Sequence, residues 1–238
     1  MTMMRRFALS LLLSAATGVV CAGQTAAPAS DSLASSRPEV SFHFERPGLA
    51  VPRFTLSVRE DGSGSYKADE APVSGGSAAF QPTAGKSIDR AITVSEPTVA
   101  TIFKSARSLD RFNIDCASKA KNIADTGKKT LSYSGGDGRG SCTYNYSDNK
   151  SVMSLTDTFQ AIAFTLDEGR RLEFLHRFDR LGLDAEMETL THEYEQKRAL
   201  ELGTISSTLA SLASDDALMQ RVRMRAAKLL EQIEDSRR

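Results

Sequence analysis

The sequence predicts an α+β protein: a small antiparallel sheet packed on a helix, followed by an all-helical C-terminal tail. Three observations carry this. Between Phe42 and Tyr146, short stretches alternate apolar with polar residues and are divided by Gly-, Pro- and Asp-bearing turns, the pattern of half-buried strands. Within that region one stretch, Ser95 to Leu109, instead spaces its apolar residues three and four apart, as an amphipathic helix does. From Leu155 onward the helical spacing takes over and persists.

Composition bounds the function before any motif is read. A hydrophobic content of 40% and a charged content of 25% over 238 residues are ordinary globular values, which excludes wholesale disorder. The length suits one compact domain with a smaller appendage. A formal net charge of +0 argues against nucleic acid as a partner, and losing a leader that holds Arg5 and Arg6 makes the remaining chain slightly acidic.

Residues 1–22 read as a signal peptide: two arginines, an apolar run from Phe7 to Leu13, then small residues up to Ala22. The run is short for a membrane span, which needs about 20 apolar residues, so none is expected in the mature chain. The alternative is a lipoprotein acylated at Cys21, but Val20 is a poor fit before a lipidated cysteine. Cleavage after Ala22 leaves Cys116 and Cys142 as the only cysteines, and an exported chain with one pair most simply forms one disulfide. Closing that loop stabilises the fold by about 3.5 kcal/mol in the chain-entropy view. Two buried thiols are the alternative, and a metal site lacks the accompanying His pair.

Residues 23–38 are rich in Ala, Ser, Gln and Pro and read as a flexible linker; 39–168 is the α+β domain and 169–238 the helical region. Phe42 and Phe44 place a strand ending at Pro47-Gly48, and Phe54, Leu56 and Val58 another that turns through Asp61-Gly62-Ser63-Gly64. A three-residue turn there sets Tyr66 opposite Val58. Ile88, Ile92 and Val94 mark a further strand, and Ser95 caps the helix whose apolar stripe is Val99, Ile102, Phe103, Ala106 and Leu109. Leu131 and Tyr133 pair across a glycine-rich turn with Tyr144 and Cys142, with Ser134 opposite Ser141.

In the tail, Thr156 is expected to cap a helix that breaks at Gly169, and a second set of apolar residues, Leu172, Leu175 and Phe178, ends at Leu181-Gly182. Asp184 starts the next helix, Gly203 interrupts it before Leu209 and Leu212, and Ser214 or Asp215 caps the last, which bears Val222, Ala226, Leu229 and Ile233.

No motif here carries chemistry. Gly85-Lys86-Ser87 resembles the end of a phosphate-binding loop, but Phe80 stands where its upstream glycine belongs. His192-Glu193 begins a zinc-protease pattern that Gln196 breaks, His43 reads as a solvated strand residue, and His176 and His192 fall on different expected helices, which disfavours a shared metal site. Lys119, Lys121, Lys128 and Lys129 read as solvated surface, as do Arg221, Arg225 and Lys228 on the outer face of the last helix. No catalytic, cofactor-binding or metal-ligating set is expected, and no cofactor.

The run from Arg53 to Leu166, carried by FTLSVREDGSGSY, ITVSEPTVATIF, ADTGKKTLSY and SCTYNYS, resembles uncharacterised exported or lipoprotein domains of bacteria. That resemblance implies a hairpin, helix, hairpin, helix order and periplasmic or secreted localisation, with no activity to transfer. The leading expectation is a non-enzymatic envelope protein that binds another envelope protein. The alternatives are a hydrolase-like enzyme whose site is assembled from distant residues, and a small-ligand carrier using the tyrosine face.

Overall fold

A computed structural model describes residues 37–71 and 85–236. The leader, Cys21 and most of the 23–38 linker lie outside the described residues, as does the middle of the Glu70 to Lys86 loop. Six strands, β1 (Glu39–Glu45), β2 (Arg53–Arg59), β3 (Ser63–Asp69), β4 (Ser87–Thr93), β5 (Lys128–Gly135) and β6 (Gly138–Tyr144), form one antiparallel sheet in the order β4-β3-β2-β1-β5-β6. Five helices complete the α+β architecture: α1 (Glu96–Ser108), α2 (Lys150–Phe178), α3 (Leu183–Glu195), α4 (Ser206–Ser214) and α5 (Gln220–Asp235).

Strand alternation sorts the sheet into two faces. Phe42, Leu56, Tyr66, Leu131 and Tyr133 point inward and bury against Ile102 and Phe103 of α1 and Phe159, Ile162 and Leu166 of α2. The Phe42 ring stacks on Phe159 at 5.4 Å between centroids. Each such side chain contributes about 1.5 to 3 kcal/mol by leaving water, so this face holds the domain together. The other face is polar, with Ser65, Ser57, Ser41, Ser132 and Ser141 in register along one row.

Both hairpins keep the expected faces but shift register. Tyr66 stands opposite Leu56, not Val58. The three-residue turn closes over Glu60, Asp61 and Gly62, with Gly62 at φ +82° and Asp61 accepting from the Ser63 amide at 3.0 Å. Gly64 thereby becomes a strand residue, at a point where a Cβ would strike the Ser57 carbonyl. In the second hairpin Leu131 opposes Cys142 and Ser134 opposes Arg139, because β5 and β6 run on to a two-residue turn at Gly136-Asp137. Gly138 and Gly140 serve packing as well as turning: side chains there would collide with Arg111. Arg111 lies in the turn Asp110–Phe112, whose three residues all have positive φ.

Cys116 and Cys142 stand at disulfide distance, Cα to Cα 5.8 Å, joining the exit of that turn to edge strand β6. Lys129 departs from its expected surface place. It is buried, and its Nζ donates to the carbonyls of Thr126, Gly127 and Asn145 at 2.8 to 3.0 Å, closing the loop before β5. Loss of hydration pushes its pKa down.

The tail differs from expectation at its helix boundaries. α2 begins at Asn149, whose side chain accepts from the Ser151 amide at 2.9 Å, and runs unbroken through Gly169. Glycine is needed there for packing: a Cβ at 169 would strike Ile205. Thr156 is an interior residue hydrogen-bonded to Tyr144 and the Val152 carbonyl, not a cap. Asp184 lies just inside α3 and binds Arg221 at 2.8 Å and Arg225 at 2.6 Å, so those arginines tie α5 to α3. α5 starts at Gln220, later than Asp215, whose carboxylate binds His176. Leu172, Leu183, Met187, Leu190, Leu209, Leu212, Val222 and Leu229 form a second apolar cluster. The tail also reaches back to α1: Glu201 accepts from the Ser95 amide at 2.8 Å and from the Ser95 hydroxyl at 2.6 Å, satisfying the amide of the N-cap residue itself.

Candidate functional site

The second half of α2 forms one wall of an open groove of about 1850 Å³. The groove is lined as well by the end of the sheet where Phe44, Phe54 and Ile88 stand in one cross-strand row, and by the β1–β2 connection carrying Leu49. Sequence alone placed Phe178 on a buried stripe with Leu172 and Leu175. Here Phe178 is 66% exposed and Phe174 58%, their rings 5.0 Å apart, while Leu49, also in the lining, is 38% exposed. Three of the six large apolar side chains that remain exposed among the described residues therefore line one groove.

Polar groups fix that wall to the sheet. The Tyr66 hydroxyl donates to Asp167 at 2.9 Å, and Arg170 bridges Asp167 at 3.4 Å and Glu70 at 2.6 Å. Burial raises the pKa of both Tyr66 and Asp167. One turn further on, Glu173 binds Arg90 of β4 at 2.6 Å and accepts from Thr208 of α4 at 3.0 Å. Burial works against the Glu173 charge, but these two donors outweigh it and hold the carboxyl low. The wall is thus pinned to the strands and to α4 by ion pairs that leave its aromatic residues free.

Glu168 is the exception among these acids. It is 8% exposed and its Oε2 has no hydrogen-bond partner, while neighbouring Glu186 of α3 is held by Arg171 at 2.8 Å. Burial, with Glu186 adding to it, pushes the Glu168 pKa up to about 8, so the side chain keeps its proton at neutral pH.

The residues singled out from sequence mostly lie elsewhere. Cys116 and Cys142 do not line the groove. Tyr133 and Tyr144 are buried in the core, with hydroxyls bonded to Asp137 and Thr156, whereas Tyr146 is 41% exposed. His43 Nδ1 is 2.9 Å from the Thr55 hydroxyl on the open sheet face. His176 lies in the groove wall and pairs with Asp215 at 2.8 Å, whereas His192 is exposed on α3. Among the described residues no group of three His, Cys, Asp or Glu side chains is placed to hold a metal ion. No described helix is long and apolar enough to cross a membrane.

Sequence reasoning missed Glu70, Arg90, Asp167, Arg170 and Glu173, which lie far apart in the chain and meet only through strand register. Phe174 and Phe178 carried a readable signal: they are four apart on one helical face, offset from the stripe of Leu172 and Leu175. Comparison with known proteins finds no family model that matches this chain and no curated protein that matches it.

Proposed function

We propose that this is a non-enzymatic binding module of the bacterial envelope, whose α2 groove receives a segment of another envelope protein. The observation that carries the reading is that Leu49, Phe174 and Phe178, exposed apolar side chains from two separate elements, line one groove whose acids are ion-paired or buried. Its volume, about 1850 Å³, exceeds the roughly 300 to 1,000 Å³ of small-molecule pockets, which favours a polypeptide over a small ligand. Export is supported by the leader pattern in 1–22 and by the disulfide-distance pair Cys116 and Cys142.

Photocrosslinking in the native host tests this. A benzophenone amino acid at Phe174 or Phe178 is expected to capture a discrete protein, whereas the same group at Met224, exposed on α5 away from the groove lining, captures none. Equal capture at all three positions would remove the groove from the account.

An enzyme reading has one observation in its favour: Glu168, a proton-holding acid beside Glu186 at the groove. It becomes the leading one if purified protein turns over a substrate and Glu168→Gln abolishes the turnover without unfolding the chain.

A further inference from the structure

We infer that the segment received by the groove is acidic as well as apolar, its carboxylates meeting Arg46, Lys86 and Arg177 while its apolar side chains meet Leu49, Phe174 and Phe178. The inference rests on the docking reading above and adds the chemistry of the partner.

Charge bookkeeping along the groove supports it. Four of its cations are matched: Arg90 to Glu173 at 2.6 Å, Arg170 to Glu70 at 2.6 Å, Arg171 to Glu186 at 2.8 Å and Arg180 to Asp215 at 3.6 Å. Arg46, Lys86 and Arg177 line the same groove, are exposed, and have no carboxylate within ion-pair distance among the described residues. Beyond those residues the sequence holds only Asp31 and the C-terminal carboxylate as further acids.

The groove's own acids offer no matching surplus. Glu70, Asp167 and Glu173 are paired, Asp89 is 3.5 Å from Lys67, and Glu168 is buried. In a chain of formal net charge +0, the groove therefore carries a local excess of exposed positive charge beside exposed aromatic rings. The Arg177 guanidinium lies 5.8 Å from the Phe178 ring centroid, so one spare cation and one apolar contact point are adjacent. A segment with carboxylates next to large apolar side chains satisfies both, and a basic segment would be repelled.

Fluorescence anisotropy of the full chain with labelled ten-residue probes tests the inference. The probes share the same Phe, Leu and Gly residues and carry Glu, Gln or Lys at the remaining positions. The Glu probe is expected to bind at least tenfold more tightly than the other two in low salt, with the preference shrinking in high salt. Arg46→Gln/Lys86→Gln/Arg177→Gln should weaken the Glu probe about tenfold, since three exposed pairs each contribute roughly twofold, and leave the Gln probe unchanged. Circular dichroism checks that this surface variant is folded.

Equal or tighter binding of the Lys or Gln probe, lost in Phe174→Ser/Phe178→Ser, would overturn the acidic partner and keep the docking groove. Failure of every probe, or binding indifferent to the phenylalanine variant, would count against both. Phosphatidylglycerol vesicles that bind through the three cations when the Glu probe does not would assign the surface to lipid. A concentration-dependent dimer abolished by Phe174→Ser/Phe178→Ser would assign it to a second copy of the chain, and either result overturns the inference.

Discussion

The two halves of α2 use similar side chains to opposite ends. Before Gly169 the helix lies over the sheet, and Val152, Leu155, Phe159, Ile162 and Leu166 are all buried. After it, Leu172 joins the tail's apolar cluster while Phe174 and Phe178 remain in water. The same helix thus closes a core with one half and presents aromatic residues with the other. Ion pairs of Arg170 with Glu70 and of Glu173 with Arg90 tie the second half to the sheet side without using those rings. Exposure here is a feature of a well-anchored element, which is why it reads as a binding surface and not as a fraying helix end.

The contrast breaks first at the aromatics. Phe159→Ala should cost about 3 to 5 kcal/mol in denaturant unfolding, as buried aromatic deletions do, whereas Phe174→Ser/Phe178→Ser should stay within about 0.5 kcal/mol per site. Comparable losses would mean that the exposed rings are structural. The disulfide sharpens the sheet side of the comparison. Cys116→Ser/Cys142→Ser should lower stability by about 2 to 4 kcal/mol while leaving probe binding in the groove intact. Cys116 and Cys142 should also resist thiol alkylation unless reduced.

Glu168 sits at the junction of the two halves, facing Glu186 of α3, with Arg171 and Asp167 from its own helix. Its pKa is raised from the ordinary 4.5 to about 8, so the unfolded chain gives up this proton first. The stability contributed by this group should therefore be fully present below pH 4.5, decline as pH rises toward 8 and be lost above it. Glu168→Gln should remove that decline and be more stable than the wild type above pH 8, because the amide never takes on the charge that burial penalises. A wild-type stability that rises over this window, once other groups are subtracted through the variant, would contradict the assignment. The smallest effect is expected at Glu201→Gln, which weakens the cap on α1 by about 1 kcal/mol and should appear as faster amide exchange in the first turn of that helix.

Much of the fold was legible in the sequence because it depends on local periodicity. Strand faces, the α1 stripe and the Leu181-Gly182 break were all readable from spacing. Registers were not: the shift of both hairpins preserves which face each residue occupies, so alternation cannot distinguish the two pairings. Gly169 was misleading because a helix-weakening residue had been placed for contact with Ile205, a partner 36 positions away in sequence. The groove was illegible for the same reason. Arg90 and Glu173, or Glu70 and Arg170, become neighbours only when the sheet is assembled, and Lys129 looks like a surface lysine until three carbonyls close around it.

The most direct test of the central claim joins the two walls of the groove in one measurement. A benzophenone amino acid at Leu49 should capture the same partner as one at Phe174, because both positions face one inserted segment. In a Phe174→Ser/Phe178→Ser background, capture from Leu49 should fall at least tenfold while the melting temperature stays that of the parent. Persistent capture from Leu49 in that folded variant would show that Leu49 and the α2 aromatics do not share an occupant, and the account of a single docking groove would be wrong.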